Sequence, residues 1–123
     1  MRRVVVTGMG AITPIGNNAK DYWKNLVNGV SGAAPITKFD TEHFKTKFAC
    51  EVKGFDEREH FDRKEARKMD PFTQYAMLCS DEALIDSGLL EQSFDPDRVG
   101  VIWGSGIGGL TTFFRRSCRL CKG

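Results

Sequence analysis

The chain has 123 residues, 41% of them hydrophobic, which suits one globular unit with a single core. Its 18 basic and 16 acidic residues leave a formal charge of +2, so nucleic acid is not expected as its main partner. The apolar run at the start ends at Thr7 and Gly8, too early for a signal peptide, and no stretch approaches the roughly 18 apolar residues of a membrane span, so we expect a cytoplasmic protein with no membrane partner.

The first predicted element is a buried strand at residues 3–7, because a β-branched run there continues into a glycine loop at residues 8–16. Asn17 or Asn18 can cap the helix that follows, whose apolar residues share one face. Gly29 suits the position just past the end of that helix. The beginning of the chain therefore predicts strand, loop and helix in that order.

The middle of the chain predicts an irregular segment and then two helices. Residues 31–61 show no sustained period of either two or 3.6 residues. Asp62 and Glu65 resemble a capping box at the start of a short basic helix that reaches Met69. Asp70 and Pro71 then start a second helix, because aspartate suits the N-cap and proline the first helical position, and a glycine at position 88 marks its end.

A second buried strand is predicted at residues 99–103, before a second glycine loop at residues 104–109. Two such strands separated by helices predict an α/β layered architecture with a mostly parallel sheet. An amphipathic helix begins at residues 110–114, but residues 115–123 turn abruptly basic. Because two parallel strands leave apolar faces uncovered, we expect this fold to be incomplete within the 123 residues.

The second glycine loop fits the G-x-G-x-x-G spacing of dinucleotide-binding proteins. The acidic residue expected about 20 positions later would lie beyond residue 123, so the pattern stays unconfirmed and a structural loop is the simpler interpretation. Ser105 does not lie in a nucleophile elbow, since Trp103 and Ile107 occupy the positions that require glycine.

Cysteine and histidine spacing gives no metal site. The sequence has four cysteines, Cys50, Cys79, Cys118 and Cys121. All four are expected to be reduced thiols. The first two have apolar neighbours and are predicted to be small core residues, while the last two form a C-x-x-C without the second ligand pair that zinc needs. His43 and His60 have no ligand spacing either and are predicted at the surface. We therefore expect no metal and no cofactor.

The short basic helix carries a possible recognition surface. Lys64, Arg67 and Lys68 have helical spacing and fall on one face; we call these three residues the basic patch. Such a patch can be an ordinary solvated face, or it can steer an acidic partner or a phosphate.

Taken together, these segments resemble the ketosynthases, specifically the chain-elongating type II class of β-ketoacyl-acyl-carrier-protein synthases. The resemblance covers residues 1–112 and rests on residues 3–16, 39–40, 47–49, 62–70 and 98–110. It implies a thiolase-like fold of two related α/β halves and a homodimer that condenses an acyl primer with malonyl-acyl-carrier protein. Residues 1–114 would form the N-terminal part of the ketosynthase domain, and residues 115–123 a basic tail outside the family pattern.

The resemblance also assigns roles to residues. The nucleophilic cysteine and two histidines of the family lie beyond this chain, so we expect no catalytic residue and no activity from these 123 residues alone. The basic patch resembles the surface that receives the acidic acyl-carrier protein, and Ile107 matches an isoleucine that lines the acyl pocket. Two alternatives remain: a non-catalytic carrier-protein-binding fragment and a nucleotide-binding oxidoreductase fragment.

Overall fold

The computed structural model describes residues 3–120, and helices dominate it. The elements are α1 (Ala19–Val27), β1 (Ala34–Pro35), β2 (Phe48–Ala49), α2 (Arg63–Ala66), α3 (Pro71–Ser87) and α4 (Leu110–Leu120), with 3₁₀ turns at Glu57–Glu59, Leu89–Glu91 and Pro96–Arg98. Within residues 3–120 no helix is long and apolar enough to cross a membrane.

Helix α1 confirms the first predicted helix. The side chain of Asn18, rather than that of Asn17, accepts a hydrogen bond from the backbone N–H of Asp21 at 2.7 Å. Asn28 forms the C-terminal cap, and Gly29 follows with φ of 69°. The left-handed conformation at that position is the reason that glycine suits the end of this helix.

The predicted helix pair is present as α2 and α3. Asp62 caps α2 by accepting from the N–H of Lys64 at 3.2 Å, and regular helix ends at Ala66, earlier than the predicted Met69. Helix α3 begins at Pro71 as predicted and ends at Ser87, and the predicted stop residue Gly88 forms its C-terminal cap with φ of 65°.

The predicted parallel sheet is not formed by residues 3–120. The strands present, β1 and β2, are two residues long and antiparallel, with Ala34 opposite Ala49. Thr7 and residues 99–103 line a common cleft beside α3. The runs at residues 3–7 and 99–103 form no β-ladder within the described residues, and Val4 and Ile102 are 91% and 97% exposed. The predicted burial is therefore wrong for these residues, because a β-run becomes buried only when neighbouring strands and a second layer cover it.

Helix α3 is the element on which the rest of the chain packs. The backbone at Gly8 and Gly10 lies so close to α3 that a Cβ on either glycine would overlap the carbonyl of Ala83 or of Cys79. Cys79 is 8% exposed, which confirms it as a core residue. Cys50 is exposed, contrary to prediction, because it follows β2 on the outward side of the strand alternation.

A side-chain contact closes the small hairpin of β1 and β2. The Thr37 hydroxyl donates to the Glu51 carboxylate at 2.7 Å. This hydrogen bond holds the pKa of Glu51 below its usual value.

Candidate functional site

The basic patch lies on the surface where α2 ends. Lys64 belongs to α2, Arg67 caps its C-terminus, and Lys68 lies in the following turn; all three are exposed. The N–H of Lys68 donates to the carbonyl of Glu65 at 2.9 Å, so helical winding continues past Ala66 as a tighter turn. The structure therefore brings the three predicted partner-binding residues together on successive turns.

Two side chains of α3, those of Gln74 and Tyr75, contact the basic-patch segment and the residues that precede it. Gln74 is 2% exposed, and its amide nitrogen donates to the carbonyl of Ala66 and to the carboxylate of Glu57, each at 3.2 Å. Tyr75 meets the ring of Phe55 edge-on, with ring centroids 4.9 Å apart. Burial in this aromatic contact raises the pKa of the Tyr75 hydroxyl.

Ile107 lies in the second glycine loop, and its side chain is 74% exposed. The loop is anchored on the C-terminal side of Ile107. A Cβ on Gly108 would come 2.9 Å from the ring of Phe72, and the Thr112 hydroxyl donates to the carboxylate of Asp70 at 2.6 Å. The start of α4 is thereby held against the start of α3, two residues beyond the basic patch.

The carboxylate of Asp70 is evidence against the nucleotide-binding alternative. In dinucleotide-binding folds the pyrophosphate sits at the N-terminus of the helix that follows the glycine loop. Here the carboxylate of Asp70, the residue before α3, lies beside Gly109 and accepts from Thr112 in the first turn of α4. A fixed negative charge at this point repels a phosphate, so the local electrostatics disfavour that alternative.

A cavity of about 580 Å³ opens between α3 and the segment that contains residues 101–105. Its walls include Phe72, Tyr75 and Trp103, and the indole N–H of Trp103 donates to the hydroxyl of Ser80 at 2.8 Å. Ser105 lines the cavity. The apolar walls suit burial of hydrophobic groups more than polar chemistry.

The first glycine loop is bound by carboxylates of α3. Glu82 accepts the N–H of Ala11 on one oxygen and the N–H of Ala19 on the other, both at 2.8 Å. Asp86 accepts the N–H of Met9 at 2.9 Å. Neither Glu82 nor Gln74 was predicted as a functional residue, since no local signal in the sequence marks a polar helix residue that bonds a distant segment.

The cysteines and histidines do not assemble a reactive centre in the part of the chain that the structure describes. Burial raises the pKa of the Cys79 thiol, and its backbone hydrogen bond with Ile12 only partly offsets this effect, so the thiolate nucleophile is disfavoured. His60 stacks on Phe55 with ring centroids 5.7 Å apart. No group of three metal-ligating side chains forms within residues 3–120. Cys118 is exposed on α4, and Cys121 lies outside the described residues.

Comparison with known proteins decides the family. A family model described as the N-terminal domain of β-ketoacyl synthases matches residues 1–119. The chain belongs to the β-ketoacyl synthase family. Over 112 residues it is 50% identical to 3-oxoacyl-[acyl-carrier-protein] synthase 2 of Staphylococcus aureus strain COL, a match that covers 91% of this chain. The protein of the same name from Synechocystis is 49% identical over 109 residues, which is 89% of this chain.

The β-ketoacyl synthase relatives are considerably longer than this chain. The matches span 27% of the Staphylococcus aureus protein and 26% of the Synechocystis protein. Among solved structures, the ishigamide ketosynthase/chain length factor superposes with a TM-score of 0.62 and 38% identity, over 80% of this chain and 23% of that one. The described fold is thus that of an N-terminal ketosynthase region.

Proposed function

We propose that this chain is the N-terminal part of a 3-oxoacyl-acyl-carrier-protein synthase that elongates fatty acyl chains. The observation that carries the proposal is the 50% identity with synthase 2 over 112 residues. In the proposed reaction, an acyl group held as a thioester on a cysteine is attacked by the carbon that malonyl-acyl-carrier protein exposes on losing CO₂. A carbon–carbon bond forms, the cysteine thiolate leaves, and 3-oxoacyl-acyl-carrier protein results.

In this proposal the catalytic cysteine and histidines belong to the remainder of the enzyme, a cytoplasmic homodimer. We place residues 1–114 in the ketosynthase domain and treat residues 115–123 as a basic tail, of which the family model still covers residues 115–119. The exposed runs at residues 3–7 and 99–103 are strands of a mostly parallel sheet that further strands complete. Their β-branched composition and glycine-loop ends support this placement.

The complete reaction is testable in a chimeric enzyme. In this chimera, residues 1–112 of the present chain continue into the remainder of the Staphylococcus aureus relative, whose matching segment is 50% identical. Formation of 3-oxoacyl-acyl-carrier protein from acyl and malonyl carrier-protein substrates is the measurement. The same chimera serves for the variants below.

The basic patch is proposed to receive the acidic acyl-carrier protein, in both its acyl and its malonyl form. Its exposure and clustering support this role. We expect Lys64→Glu combined with Arg67→Glu to slow association by about tenfold at low salt and to flatten its salt dependence, because charges at an interface act mainly on the rate of encounter. Stopped-flow mixing with labelled carrier protein measures this rate.

A matched control for the patch is Lys20→Glu with Lys24→Glu, which reverses two exposed charges on α1 instead. It alters the net charge equally and should change the association rate much less. Equal slowing of association by both pairs, or no slowing by either, would contradict the docking role and leave the basic patch as an ordinary solvated surface.

Ile107 is proposed to line the acyl pocket in the complete enzyme. Its place in a loop anchored at Gly108 and Thr112 supports a fixed position for the side chain. Ile107→Phe is expected to raise the barrier for long acyl primers by about 1–3 kcal/mol through overpacking, while short primers are spared. Ratios of kcat/KM across primers of increasing length check this, with the volume-conserving Ile107→Leu as control. Equal losses for short and long primers would remove Ile107 from the pocket wall.

A second candidate is a carrier-binding fragment without chemistry, and one observation favours it for the isolated chain. The contacts that hold the basic patch, from Phe55 to Tyr75, all lie within this chain. A docking surface held by these contacts would not depend on the rest of the enzyme, whereas the proposed condensation would.

A further inference from the structure

We propose that Gln74 is a positioning residue for carrier-protein docking: its buried amide holds the basic patch in the orientation that the carrier recognises. This inference rests on the proposed function, since it takes the basic patch as the docking surface. Gln74 is the buried polar residue of α3, at 2% exposure, and it lies beneath the segment that bears the patch.

The amide of Gln74 joins two places to α3, the turn that precedes α2 and the end of α2 itself. One hydrogen bond goes to the carbonyl of Ala66 at the end of α2, which also accepts the N–H of Met69 at 3.3 Å. The other goes to Glu57, in the 3₁₀ turn that precedes α2. A single side chain thus fixes the segment before the basic patch and a residue within it.

The orientation of α2 depends on such contacts because the helix is too short to sustain itself. It has four residues, and isolated helices of far greater length are marginal in water. Ala66 is buried against its surroundings, but an alanine side chain offers only a small, non-directional contact. The directional restraint among these contacts comes from the two hydrogen bonds of Gln74.

The side chain at position 74 must be a hydrogen-bond donor to join these two groups to α3. Both partners, a carbonyl oxygen and a carboxylate, are acceptors. Gln74→Glu keeps the shape but places a third acceptor against them, which replaces attraction by repulsion. Gln74→Met keeps the approximate volume and removes the donor without adding charge.

Loss of the restraint lets the basic patch sample several orientations, of which only some fit the carrier. The apparent affinity of a binding surface falls in proportion to the fraction of time that it spends in the competent state; a competent fraction of about one fifth weakens binding about fivefold. Substrates that carry the same thioester without a protein do not use the basic patch. They should react at their normal rate.

The test is steady-state kinetics of the chimeric enzyme with malonyl-acyl-carrier protein and, separately, with malonyl-coenzyme A. For Gln74→Glu and Gln74→Met we expect KM for the carrier-protein substrate to rise about fivefold, as the lost competent fraction dictates, with kcat nearly unchanged. The kcat/KM for malonyl-coenzyme A should stay within about twofold of the parent. Amide exchange at residues 63–69, followed by mass spectrometry, should become faster in both variants.

Equal losses on both substrates would overturn the inference, because they indicate a general structural role. Unchanged KM for the carrier substrate in both variants would overturn it as well. The Lys64→Glu, Arg67→Glu pair distinguishes failure of the positioning role of Gln74 from failure of the proposed docking surface. If charge reversal raises the carrier KM while the Gln74 variants do not, only the positioning role is wrong; if charge reversal has no effect, the docking surface itself is wrong.

Discussion

Expressed without the remainder of a ketosynthase, these 123 residues are expected to form no detectable 3-oxoacyl product from acyl- and malonyl-acyl-carrier protein. Acyl transfer needs an activated nucleophile and groups that stabilise the developing charge, and such groups lose most of their effect when any member is missing. The described residues hold no such unit: Cys79 is buried with a raised pKa, and Cys118 stands exposed on α4. Mass spectrometry of the carrier-bound products measures the outcome.

This experiment must distinguish slow reaction of a cysteine thiol with the thioester substrates from catalytic formation of 3-oxoacyl product. Cys118 is an exposed free cysteine, so slow reaction of its thiol with thioesters is compatible with the prediction. Steady formation of 3-oxoacyl product, abolished by Cys118→Ala or Cys121→Ala, would contradict it. The same sample should still bind carrier protein through the basic patch at low salt.

The largest effect on stability is expected at Glu82. Glu82→Ala removes the acceptor of two backbone N–H groups, at Ala11 and Ala19, which belong to the first glycine loop and to the first turn of α1. Hydrogen bonds to charged groups are worth about 1.5–3 kcal/mol each, and partial access of water to this site reduces the sum, so we expect a loss of about 2–4 kcal/mol. Denaturant unfolding of the chimera measures the total, and amide exchange at Ala11 and Ala19 localises it.

Two further variants serve as controls for Glu82→Ala. Asp81→Ala changes the preceding residue of α3, an exposed carboxylate on the same helix, and should cost little. Glu82→Gln keeps the length but has one acceptor oxygen, so it should retain protection at only one of the two amides. If Glu82→Ala unfolds at the same denaturant concentration as Asp81→Ala, the carboxylate does not join the loop to α3.

Sequence reasoning succeeded where the determinants are local. The ends of α1 and α3 follow from Asn18, Gly29, Pro71 and Gly88, whose preferences act within a turn of the helix. The basic patch was predictable for the same reason, because the spacing of three and four residues within one helical segment decides which side chains are neighbours.

The features that were predicted wrongly or not at all depend on interactions between segments that are distant in the sequence. The runs at residues 3–7 and 99–103 have the composition of buried strands, but burial depends on partners that composition does not supply. Gln74 bonds Glu57 across 17 residues and Glu82 bonds Ala11 across 71. A polar residue in an apolar helix face gives no local sign of the backbone group that it will meet.

The assay of the chimeric enzyme is the measurement that tests the central claim most directly, because it asks whether residues 1–112 serve as the N-terminal region of a condensing enzyme. The chimera should be a folded dimer that forms 3-oxoacyl-acyl-carrier protein with a kcat within about tenfold of the Staphylococcus aureus parent, a barrier difference below about 1.4 kcal/mol. A folded, dimeric chimera that binds carrier protein but forms no such product would contradict the assignment of this chain to a condensing 3-oxoacyl synthase.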